Sequence, residues 1–353
     1  MNVKKIKLNN FRNYEEEEIL LDENVNIIYG NNGEGKTNIL ESIFVCALGK
    51  SFRTSKEKEL IKVGQDYAKI NIDFEKDDRV CNIKVNIDNK KSFLLNDVKL
   101  NKTSEILGNI YVVLFNPDDI NILKQGPANR RRFLNIMISQ LRPNYVHLLN
   151  NYMKVLEQRN IYLRQIKYEN KNIDLLEIWD QKLAELGEKI YEYRKDFIER
   201  IILKINKIHK NITNEKETIK IIYNSNCYNK EDYLNKLKNN RNIDLQKGYT
   251  SLGIHRDDFS IYINDKLVNV YGSQGQQRTV IISLKLSELE IIYDEIGEKP
   301  ILLLDDFMSE LDKDRREYLL NNFIDNQIII TCTDNFALKN SGKILKVENG
   351  KVL

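Results

Sequence analysis

The sequence has few of the residues from which disulfide frameworks and zinc sites are built. Its 353 residues include four cysteines, scattered without a C-x-x-C pair, and three histidines that lie far from one another. A disulfide framework needs paired cysteines, and a zinc site needs closely spaced cysteine or histidine ligands. The sequence therefore predicts neither kind of site.

Long apolar runs are also missing. A helix that crosses a bilayer needs roughly 20 consecutive apolar residues, and no run approaches that length. The first residues, "MNVKKIKLNNF", alternate apolar and polar side chains as a strand does, unlike a signal sequence. We therefore expect a cytoplasmic protein with no membrane segment.

A strong excess of one charge is absent as well. Charged residues make up 30% of the chain, yet the formal net charge is only +3 and both signs are interspersed. If the protein binds nucleic acid, the positive charge that does so must therefore be concentrated in a local patch of its surface. A chain of this length can bury a substantial core, and two lobes are the expected organisation.

The pattern of apolar residues changes twice along the chain. Short alternating segments such as "YAKINIDFE" and "VCNIKVNID" fill the first part, with Asp/Asn-rich turns such as Asp88-Asn89. Helical periodicity begins near Pro127, and strand patterns return after about Leu245. We predict an α/β domain from residues 1–115 and 245–353, with a mixed sheet and an antiparallel β layer. Residues 116–244 are predicted to form an inserted helical lobe.

The helical lobe has one long apolar stripe. The 3-4 spacing runs from Leu183 to Phe197 and continues to Ile208 after a one-residue stutter. Sustained heptads cover too few turns for a long coiled-coil arm. A pair of amphipathic helices packed on each other is favoured.

One motif predicts a phosphate-binding loop. It fits G-x-x-x-x-G-K-[ST] and consists of Gly30, Asn31, Asn32, Gly33, Glu34, Gly35, Lys36 and Thr37. Glycines let backbone N–H groups face phosphate oxygens, Lys36 would reach the β and γ phosphates of ATP, and the Thr37 hydroxyl would ligate Mg²⁺. The strand-like "VNIIY" before the loop and the helical apolar face after it favour this interpretation over a chance glycine-rich turn.

A second acidic site follows the buried run "ILLL". Asp305 ends this run and is expected to bind Mg²⁺ together with Thr37, and Asp306 is placed to polarise an attacking water. Two acidic residues after an apolar run are also common where a strand ends and a loop begins. The assignment of Asp305 to Mg²⁺ and of Asp306 to the attacking water therefore depends on the presence of the P-loop. Lys36, Asp305 and Asp306 are the predicted catalytic residues.

The segment "YGSQGQQRT" lies between these motifs. Small residues, Gly272, Ser273 and Gly275, immediately precede a helix predicted to start near Gln276. Such a helix terminus binds anions through its exposed N–H groups and its dipole. The chain therefore has two helix N-termini suited to binding phosphate, although one nucleotide bound at Lys36 would need only one of them.

In order and spacing, these motifs resemble the ABC-type ATPase head. More specifically, the chain resembles the RecF family of bacterial DNA replication and repair proteins, whose heads are SMC-like. The segments that carry this resemblance are "LGKSFRTS", "NPDDINILKQGPANRRRFLN", "GIHRDDF", "YGSQGQQRT" and "LLLDDFMSELD". The similarity extends over nearly the whole chain.

The resemblance implies two ATP molecules sandwiched in a head-to-tail homodimer without a long coiled coil. The signature residues, Ser273 and Gly275 with Gln276 at the helix start, would cap the γ-phosphate held by the partner. Arg12 would approach the nucleotide phosphates, and Asp312 would belong to a loop that crosses the dimer interface. Two threonines occupy the switch position, Thr331 and Thr333.

The resemblance also implies ATP-dependent dimerisation on DNA and weak, DNA-stimulated ATP hydrolysis. It implies action with RecO and RecR at gapped or stalled replication DNA, and a role in SOS induction. The chain departs from the family pattern at Ile254, where proline is usual, and at Gln274, where ABC signatures have glycine. No Q-loop glutamine is identified near "VVLFNPDD".

Two basic clusters are candidates for DNA contact. Arginine and lysine neutralise DNA phosphates by counterion release, which gives sequence-independent, salt-sensitive affinity. The alternative for each residue is an internal salt bridge. The clusters are Arg130, Arg131 and Arg132 at the start of the helical lobe, and Lys50, Arg53, Lys56 and Lys58 after the P-loop helix. The sequence leaves two interpretations open for His255 and Arg256. They either lie near the nucleotide or serve only as partners for the carboxylates of Asp257 and Asp258.

Two other classes of protein share a P-loop of this kind. One is the ATPase subunit of a membrane transporter, which the length of the insertion and the residues Thr331 and Thr333 argue against. The other is a head coupled to a nuclease, as in some overcoming-lysogenisation proteins. The chain after Asp334 is too short for a metal-dependent nuclease domain.

Overall fold

The structure is a computed structural model that describes residues 1–169, 171–310, 325–333 and 341–353. Asp312, predicted to cross a dimer interface, and Asp334 lie outside the described residues. The strands, in chain order, are β1 (Asn2–Phe11), β2 (Tyr14–Leu20), β3 (Val25–Tyr29), β4 (Ala68–Lys76), β5 (Arg79–Ile87), β6 (Ser92–Leu95), β7 (Val98–Lys99), β8 (Val112–Phe115), β9 (Ile219–Asn224), β10 (Asp258–Ile263), β11 (Lys266–Leu267), β12 (Ile301–Asp305), β13 (Ile328–Cys332), β14 (Ser341–Glu348) and β15 (Lys351–Val352). The α-helices are α1 (Lys36–Leu48), α2 (Asn121–Lys124), α3 (Pro127–Leu141), α4 (Pro143–Glu169), α5 (Leu176–Thr213), α6 (Lys230–Asn239), α7 (Arg241–Lys247), α8 (Val268–Tyr271) and α9 (Gln274–Ile296).

The chain divides into two compact units, Met1–Asp119 with Lys285–Leu353, and Ile120–Leu284. This division differs from the predicted boundaries, because residues 245–284 belong with the helical segment. The reason is strand pairing: β9, inside the predicted lobe, pairs along its whole length with β10, which lies after it. A helical lobe ending at residue 244 would separate these partners.

The first unit contains two sheets. The antiparallel sheet has the strand order β2-β1-β4-β5-β6-β7, and the other has the order β15-β14-β3-β13-β12-β8. In the second sheet β14, β3, β13, β12 and β8 run parallel, and only β15 is antiparallel to its neighbour. The predicted α/β class, a mixed sheet with an antiparallel layer, is confirmed.

The burial of the strands follows from their sequences. Strand β4 alternates apolar and polar residues, and its Ile70, Ile72 and Phe74 are buried on one face, as expected for an antiparallel sheet. Strand β12 is a continuous apolar run and is buried at every position, as expected for a parallel strand. The turn predicted at Asp88-Asn89 lies between β5 and β6.

The register of the parallel sheet brings three strand ends together. Asp305 at the end of β12 is level with Thr331 on β13, and Thr331 is level with Ile28 near the end of β3. The P-loop follows β3 directly, between Tyr29 and the start of α1 at Lys36. The carboxyl ends of these strands therefore carry the phosphate loop and both acids at one edge of the sheet.

The second unit is built on the pair α4 and α5. These helices pack on each other, and the buried ion pair between Arg159 and Asp180 joins them at 2.7 Å. Helix α5 runs through the stutter without a break, and Ile201, Ile205 and Ile208 continue its buried stripe. The expected pair of amphipathic helices is present. None of the helices in the described part of the chain is long and apolar enough to span a bilayer.

Candidate functional site

The P-loop depends on two glycines whose replacement would strain the backbone. Gly30 has a φ of 153° and Gly35 has a φ of 117°, both in the region that favours glycine. A Cβ on Gly30 would lie 2.3 Å from the carbonyl oxygen of Val347, and one on Gly35 would lie 2.5 Å from Asn13 Nδ2. The loop is therefore shaped by glycine geometry and by close neighbours on both sides.

Lys36 folds back into the loop. Its Nζ donates to the carbonyl oxygens of Gly30 at 2.7 Å and Asn31 at 3.0 Å, and the side chain is buried. The ammonium group therefore lies inside the curve of the loop, where the phosphate of a nucleotide is expected to arrive. Contact of Lys36 with the β and γ phosphates stays a prediction.

Two threonine hydroxyl groups hold Asp305 at the end of β12 and the backbone of Asp306 after it. Thr37 Oγ1 donates to Asp305 Oδ1 at 2.7 Å, and Thr331 Oγ1 donates to the same oxygen at 2.8 Å. The backbone N–H of Asp306 donates to Thr331 Oγ1 at 2.9 Å. Burial raises the pKa of the Asp305 carboxyl, and the hydrogen bonds from Thr37 and Thr331 oppose that shift.

The two threonines of the predicted switch position therefore differ. Thr331 is fully buried and binds the Asp305 carboxylate and the backbone N–H of Asp306, whereas Thr333, just beyond the strand, is exposed. The structure thus gives Thr331 a direct role beside Asp305 and leaves Thr333 without one among the described contacts.

The residues present fit a magnesium ion. Mg²⁺ prefers oxygen ligands and is commonly held by one or two carboxylates together with phosphates and water. Thr37 and Asp305 supply a hydroxyl and a carboxylate side by side, and their binding of Mg²⁺ stays a prediction. Among the described residues no group of three or more His, Cys, Asp or Glu side chains is arranged to hold a metal.

A cavity of about 160 Å³ opens at the P-loop. Asp306 faces it, and so does Arg53, which the sequence analysis assigned to DNA. Arg53 Nη1 donates to Asn38 Oδ1 at 2.8 Å. The cavity is lined by Asn32, Gly33, Gly35, Lys36, Thr37, Asn38, Arg53 and Asp306. Arg53 is thus placed at the phosphate site. No local pattern indicates this, because Arg53 lies 17 positions beyond Lys36, outside the P-loop motif.

Arg12 lies near the loop but is engaged by protein groups. Its Nε and Nη2 donate to the two carboxylate oxygens of Glu41 at 2.8 and 2.6 Å, and its Nη1 donates to the carbonyl oxygen of Glu59 at 2.7 Å. Glu41 is fully buried in α1 and also accepts a bond from the Ser51 hydroxyl. Contact of Arg12 with nucleotide phosphates stays a prediction. Glu41 was not predicted, although a lone glutamate on the apolar side of α1 was a signal.

The turn between β1 and β2 braces the P-loop. Asn13 Nδ2 donates to the carbonyl oxygen of Glu34 at 2.6 Å, and Asn38 Nδ2 donates to Asn13 Oδ1 at 2.7 Å. The Tyr14 hydroxyl donates to the carbonyl oxygen of Gly35 at 3.1 Å. Neither Asn13 nor Tyr14 was predicted to act at the site, because nothing in the local sequence shows which loop the turn will meet.

The signature segment forms a capping box. Helix α9 begins at Gln274, two residues before the predicted start, and Ser273 precedes it. The backbone N–H of Gln276 donates to Ser273 Oγ at 3.2 Å, and the backbone N–H of Ser273 donates to Gln276 Oε1 at 2.9 Å. This reciprocal pair satisfies two N–H groups at the helix start. Gly275 lies in the first turn, as predicted, and Ser273 is exposed.

The second glutamine of the segment holds the chain that precedes it. Gln277 is buried, and its Nε2 donates to the carbonyl oxygens of Gly272 at 3.1 Å and Val268 at 3.3 Å. A Cβ on Gly272 would lie 2.5 Å from the Val268 oxygen. The backbone segment that precedes Ser273 is therefore held in place by close packing and by these hydrogen bonds.

The arginine cluster has mostly internal partners. Arg130 donates to both carboxylate oxygens of Asp258, at 2.5 and 3.0 Å, and to the carbonyl oxygens of Ile122 and Gln125. Arg131 donates to the carbonyl oxygen of Asp257 at 2.7 Å. Arg132 and Lys50 have exposed side chains. The geometry gives Arg130 an internal role, and DNA contact by Arg131, Arg132 and Lys50 stays a prediction.

The motif "GIHRDDF" is built into the second unit. His255 Nδ1 lies 2.9 Å from the Tyr152 hydroxyl, and His255 Nε2 lies 3.1 Å from the carbonyl oxygen of Thr250. Asp257 accepts from Arg194 and Tyr223. Arg194 and Arg130, rather than His255 and Arg256, are thus the partners of the two acids.

Comparison with known proteins gives consistent matches over the full chain. A family model described as "RecF/RecN/SMC N terminal domain" matches residues 2–352. The DNA replication and repair protein RecF of Clostridium tetani is 45% identical over 367 aligned positions, which cover 100% of both chains.

Solved structures agree. The structure described as the recombination mediator protein RecF-ATPrS in the RecFOR pathway superposes with a TM-score of 0.94 at 39% identity, covering 99% of this chain and 97% of that one. The Smc head domain of Pyrococcus furiosus has a TM-score of 0.57 at 18% identity, covering 99% and 95%, which supports the ATPase-head fold alone. By fold and by sequence along its whole length, the chain belongs to the RecF family.

Proposed function

We propose that this protein is an ATP-dependent DNA-binding switch of recombinational DNA repair and replication. It acts in gap repair and SOS induction, in the cytoplasm, with RecO and RecR as partners. Relatives described as a DNA replication and repair protein and as a recombination mediator in the RecFOR pathway support this assignment.

The observation that carries the proposal is the arrangement around the P-loop. Lys36 lies inside the loop, and Thr37 is hydrogen-bonded to Asp305 at its mouth. Lys36 and the loop N–H groups bind the phosphates of ATP, and Thr37 and Asp305 hold Mg²⁺. When bound, the metal neutralises charge on the phosphate oxygens. Arg53, facing the same cavity, adds a second cation.

A second copy of the chain completes the site. The cavity that the described residues form, of about 160 Å³, is smaller than the roughly 300–1,000 Å³ pockets that enclose drug-sized ligands, so these residues alone would leave much of a nucleotide uncovered. Ser273 stands exposed at the start of a 23-residue helix, with a conformation set by its capping box. In the proposed homodimer this helix start caps the γ-phosphate bound by the partner.

Hydrolysis is the release step in this proposal. Asp306 faces the cavity and is positioned by its backbone hydrogen bond to Thr331, so its carboxylate can orient the attacking water. Turnover is weak and is stimulated by DNA. ATP therefore serves mainly to hold the dimer closed on DNA, and its hydrolysis opens the dimer.

Sedimentation velocity tests the proposal. The protein is measured alone, with ATP, and with ATP together with either gapped or fully duplex DNA. We expect a monomer without nucleotide and a dimer on DNA with ATP. A monomer on DNA under conditions where ATP is bound would contradict the proposal.

A further inference from the structure

We propose that Glu217 is a positioning residue for the signature of this protein. One of its carboxylate oxygens holds the side chain of Gln276 and the other holds His209, and together they fix the conformation in which Ser273 meets the partner's phosphate. This inference rests on the dimer function proposed above and deepens it.

The contacts form a continuous path to the signature. Gln276 Nε2 donates to Glu217 Oε1 at 2.8 Å, and His209 Nε2 lies 3.1 Å from Glu217 Oε2. On the other side, Gln276 Oε1 accepts the backbone N–H of Ser273 at 2.9 Å. Glu217 is therefore two hydrogen bonds away from Ser273, although the two residues are 56 positions apart in the sequence.

The chemistry of the partners fixes the orientation of the Gln276 amide. The backbone N–H of Ser273 can only donate, and the carboxylate oxygens of Glu217 serve as acceptors. The amide oxygen of Gln276 must therefore face Ser273, and its amide nitrogen must face Glu217. Without Glu217 the nitrogen would lose its acceptor, and the side chain would be less firmly held.

The position of Glu217 is fixed by buried His209 and by the hydrogen bonds of the neighbouring Thr218. His209 is fully buried on α5, and its Nδ1 lies 3.0 Å from Ser283 Oγ on α9. The neighbouring Thr218 is held in register by Asn264, whose backbone N–H donates to the Thr218 carbonyl oxygen at 3.0 Å and whose Oδ1 accepts the Thr218 N–H at 2.9 Å. The carboxylate thus connects the end of α5 to the start of α9.

The capping box determines the direction in which the Ser273 hydroxyl can donate a hydrogen bond. Ser273 Oγ accepts the backbone N–H of Gln276 at 3.2 Å, so the described contacts use this hydroxyl as an acceptor. The side chain is exposed, and its O–H can still donate. A hydroxyl that is held as an acceptor on the helix side directs its proton outward, toward the expected γ-phosphate.

A charge swap between the two residues tests the inference. Glu217→Gln leaves one acceptor oxygen for two donors, and Gln276→Glu sets a second carboxylate against Glu217. We expect each single variant to weaken ATP-dependent dimerisation on DNA by about tenfold or more, in line with the loss of a charged hydrogen bond.

The double variant Glu217→Gln with Gln276→Glu should restore dimerisation to within about threefold of the wild type. In that variant the amide nitrogen at position 217 donates to Glu at position 276, and its oxygen accepts from His209. Binding of ATP to monomeric Glu217→Gln, measured by titration with a fluorescent ATP analogue, should equal that of the wild type because the P-loop is unchanged.

The variants test the role of Glu217, and the wild-type protein tests the proposed dimerisation. If Gln276 only caps the helix, Gln276→Glu is a favourable cap and dimerises as well as the wild type, which would overturn the inference. A double variant as weak as the single variants would overturn it too. A wild-type protein that fails to dimerise with ATP on DNA instead contradicts the proposed function.

Discussion

Thr37 and Asp305, 268 residues apart in the chain, are joined by a hydrogen bond of 2.7 Å between Thr37 Oγ1 and Asp305 Oδ1. Thr331 donates to the same oxygen. The first turn of α1 and the ends of β12 and β13 are therefore tied together through one carboxylate oxygen. The site for phosphate and metal is thus assembled from three separate parts of the sequence.

Replacing Thr331 with valine should slow ATP hydrolysis by about 10- to 100-fold while ATP affinity changes little. The substitution keeps the shape of the side chain but removes the hydroxyl that binds the Asp305 carboxylate and the backbone N–H of Asp306. Steady-state phosphate release and nucleotide titration measure the two effects. Thr333→Val is the matched control, since Thr333 is exposed beyond the same strand. Equal effects of the two substitutions would argue against the role of Thr331.

Lys36→Ala and Asp306→Asn should separate binding from hydrolysis. Lys36→Ala should weaken ATP binding by at least about tenfold, the effect of losing a charged hydrogen bond to phosphate. Asp306→Asn should keep ATP, slow hydrolysis by about 100-fold and prolong the dimer on DNA. Nucleotide titration and the lifetime of the dimer distinguish the two variants. An equal loss of ATP binding in both would contradict these roles.

Ser273→Arg should leave ATP binding by the monomer intact and block dimerisation. The long side chain would fill the space where the partner's γ-phosphate is proposed to dock, while Ser273 itself is exposed and its replacement needs no repacking of a core. Sedimentation with ATP and DNA shows the effect. Normal dimer formation by this variant would remove the signature from the proposed mechanism.

Arg53→Ala should weaken ATP binding by about tenfold, because Arg53 faces the P-loop cavity. DNA binding without nucleotide should be unchanged. Lys50→Ala is the matched control from the same basic cluster and should not affect ATP. If Arg53 instead binds DNA phosphate, its loss will reduce the slope of DNA affinity against salt concentration by about one.

The stability of the protein should depend on His255 between pH 6.5 and 4. Burial lowers the pKa of His255 from 6.5 to about 4, with neighbouring Arg256 and Arg131 acting in the same direction. Because the folded protein favours the neutral imidazole, this stabilisation is complete above pH 6.5 and is lost as the pH falls toward 4. The loss amounts to at most about 3 kcal/mol.

Urea unfolding at a series of pH values, with His255→Gln as the comparison, measures this contribution. The wild type should lose stability more steeply than the variant over that range. Other buried groups, including His209, are present in both proteins and cancel in the comparison. Parallel curves for the two proteins would show that His255 does not carry the effect.

Local patterns in the sequence were sufficient for the P-loop, the acids of β12 and most strands. Gly30 to Thr37 and Asp305 are recognisable because glycine geometry, lysine charge and an apolar strand are all encoded within a few residues. The capping box of Ser273 and Gln276 also follows a local S-x-x-Q pattern, although it was not recognised from the sequence.

Contacts between distant segments could not be predicted in this way. Arg53 was assigned to DNA because its neighbours are basic, whereas packing places it at the P-loop cavity. Arg130 has an internal partner, Asp258, 128 residues away. The predicted boundary at residue 245 failed to include the pairing of β9 with β10, which no local pattern shows. Each of these depends on which segments meet after folding.

The position of β3 has a consequence for how the protein is made. Both of its sheet neighbours, β13 and β14, are encoded about 300 residues after it. At a translation rate of about 5–20 residues per second, they emerge from the ribosome roughly 15–60 s later. Until then β3, an apolar strand with two unpaired edges, has no partners in its own sheet. The parallel sheet that holds the P-loop can therefore be completed only near the end of synthesis, and until then the edges of β3 are open to pairing with other strands.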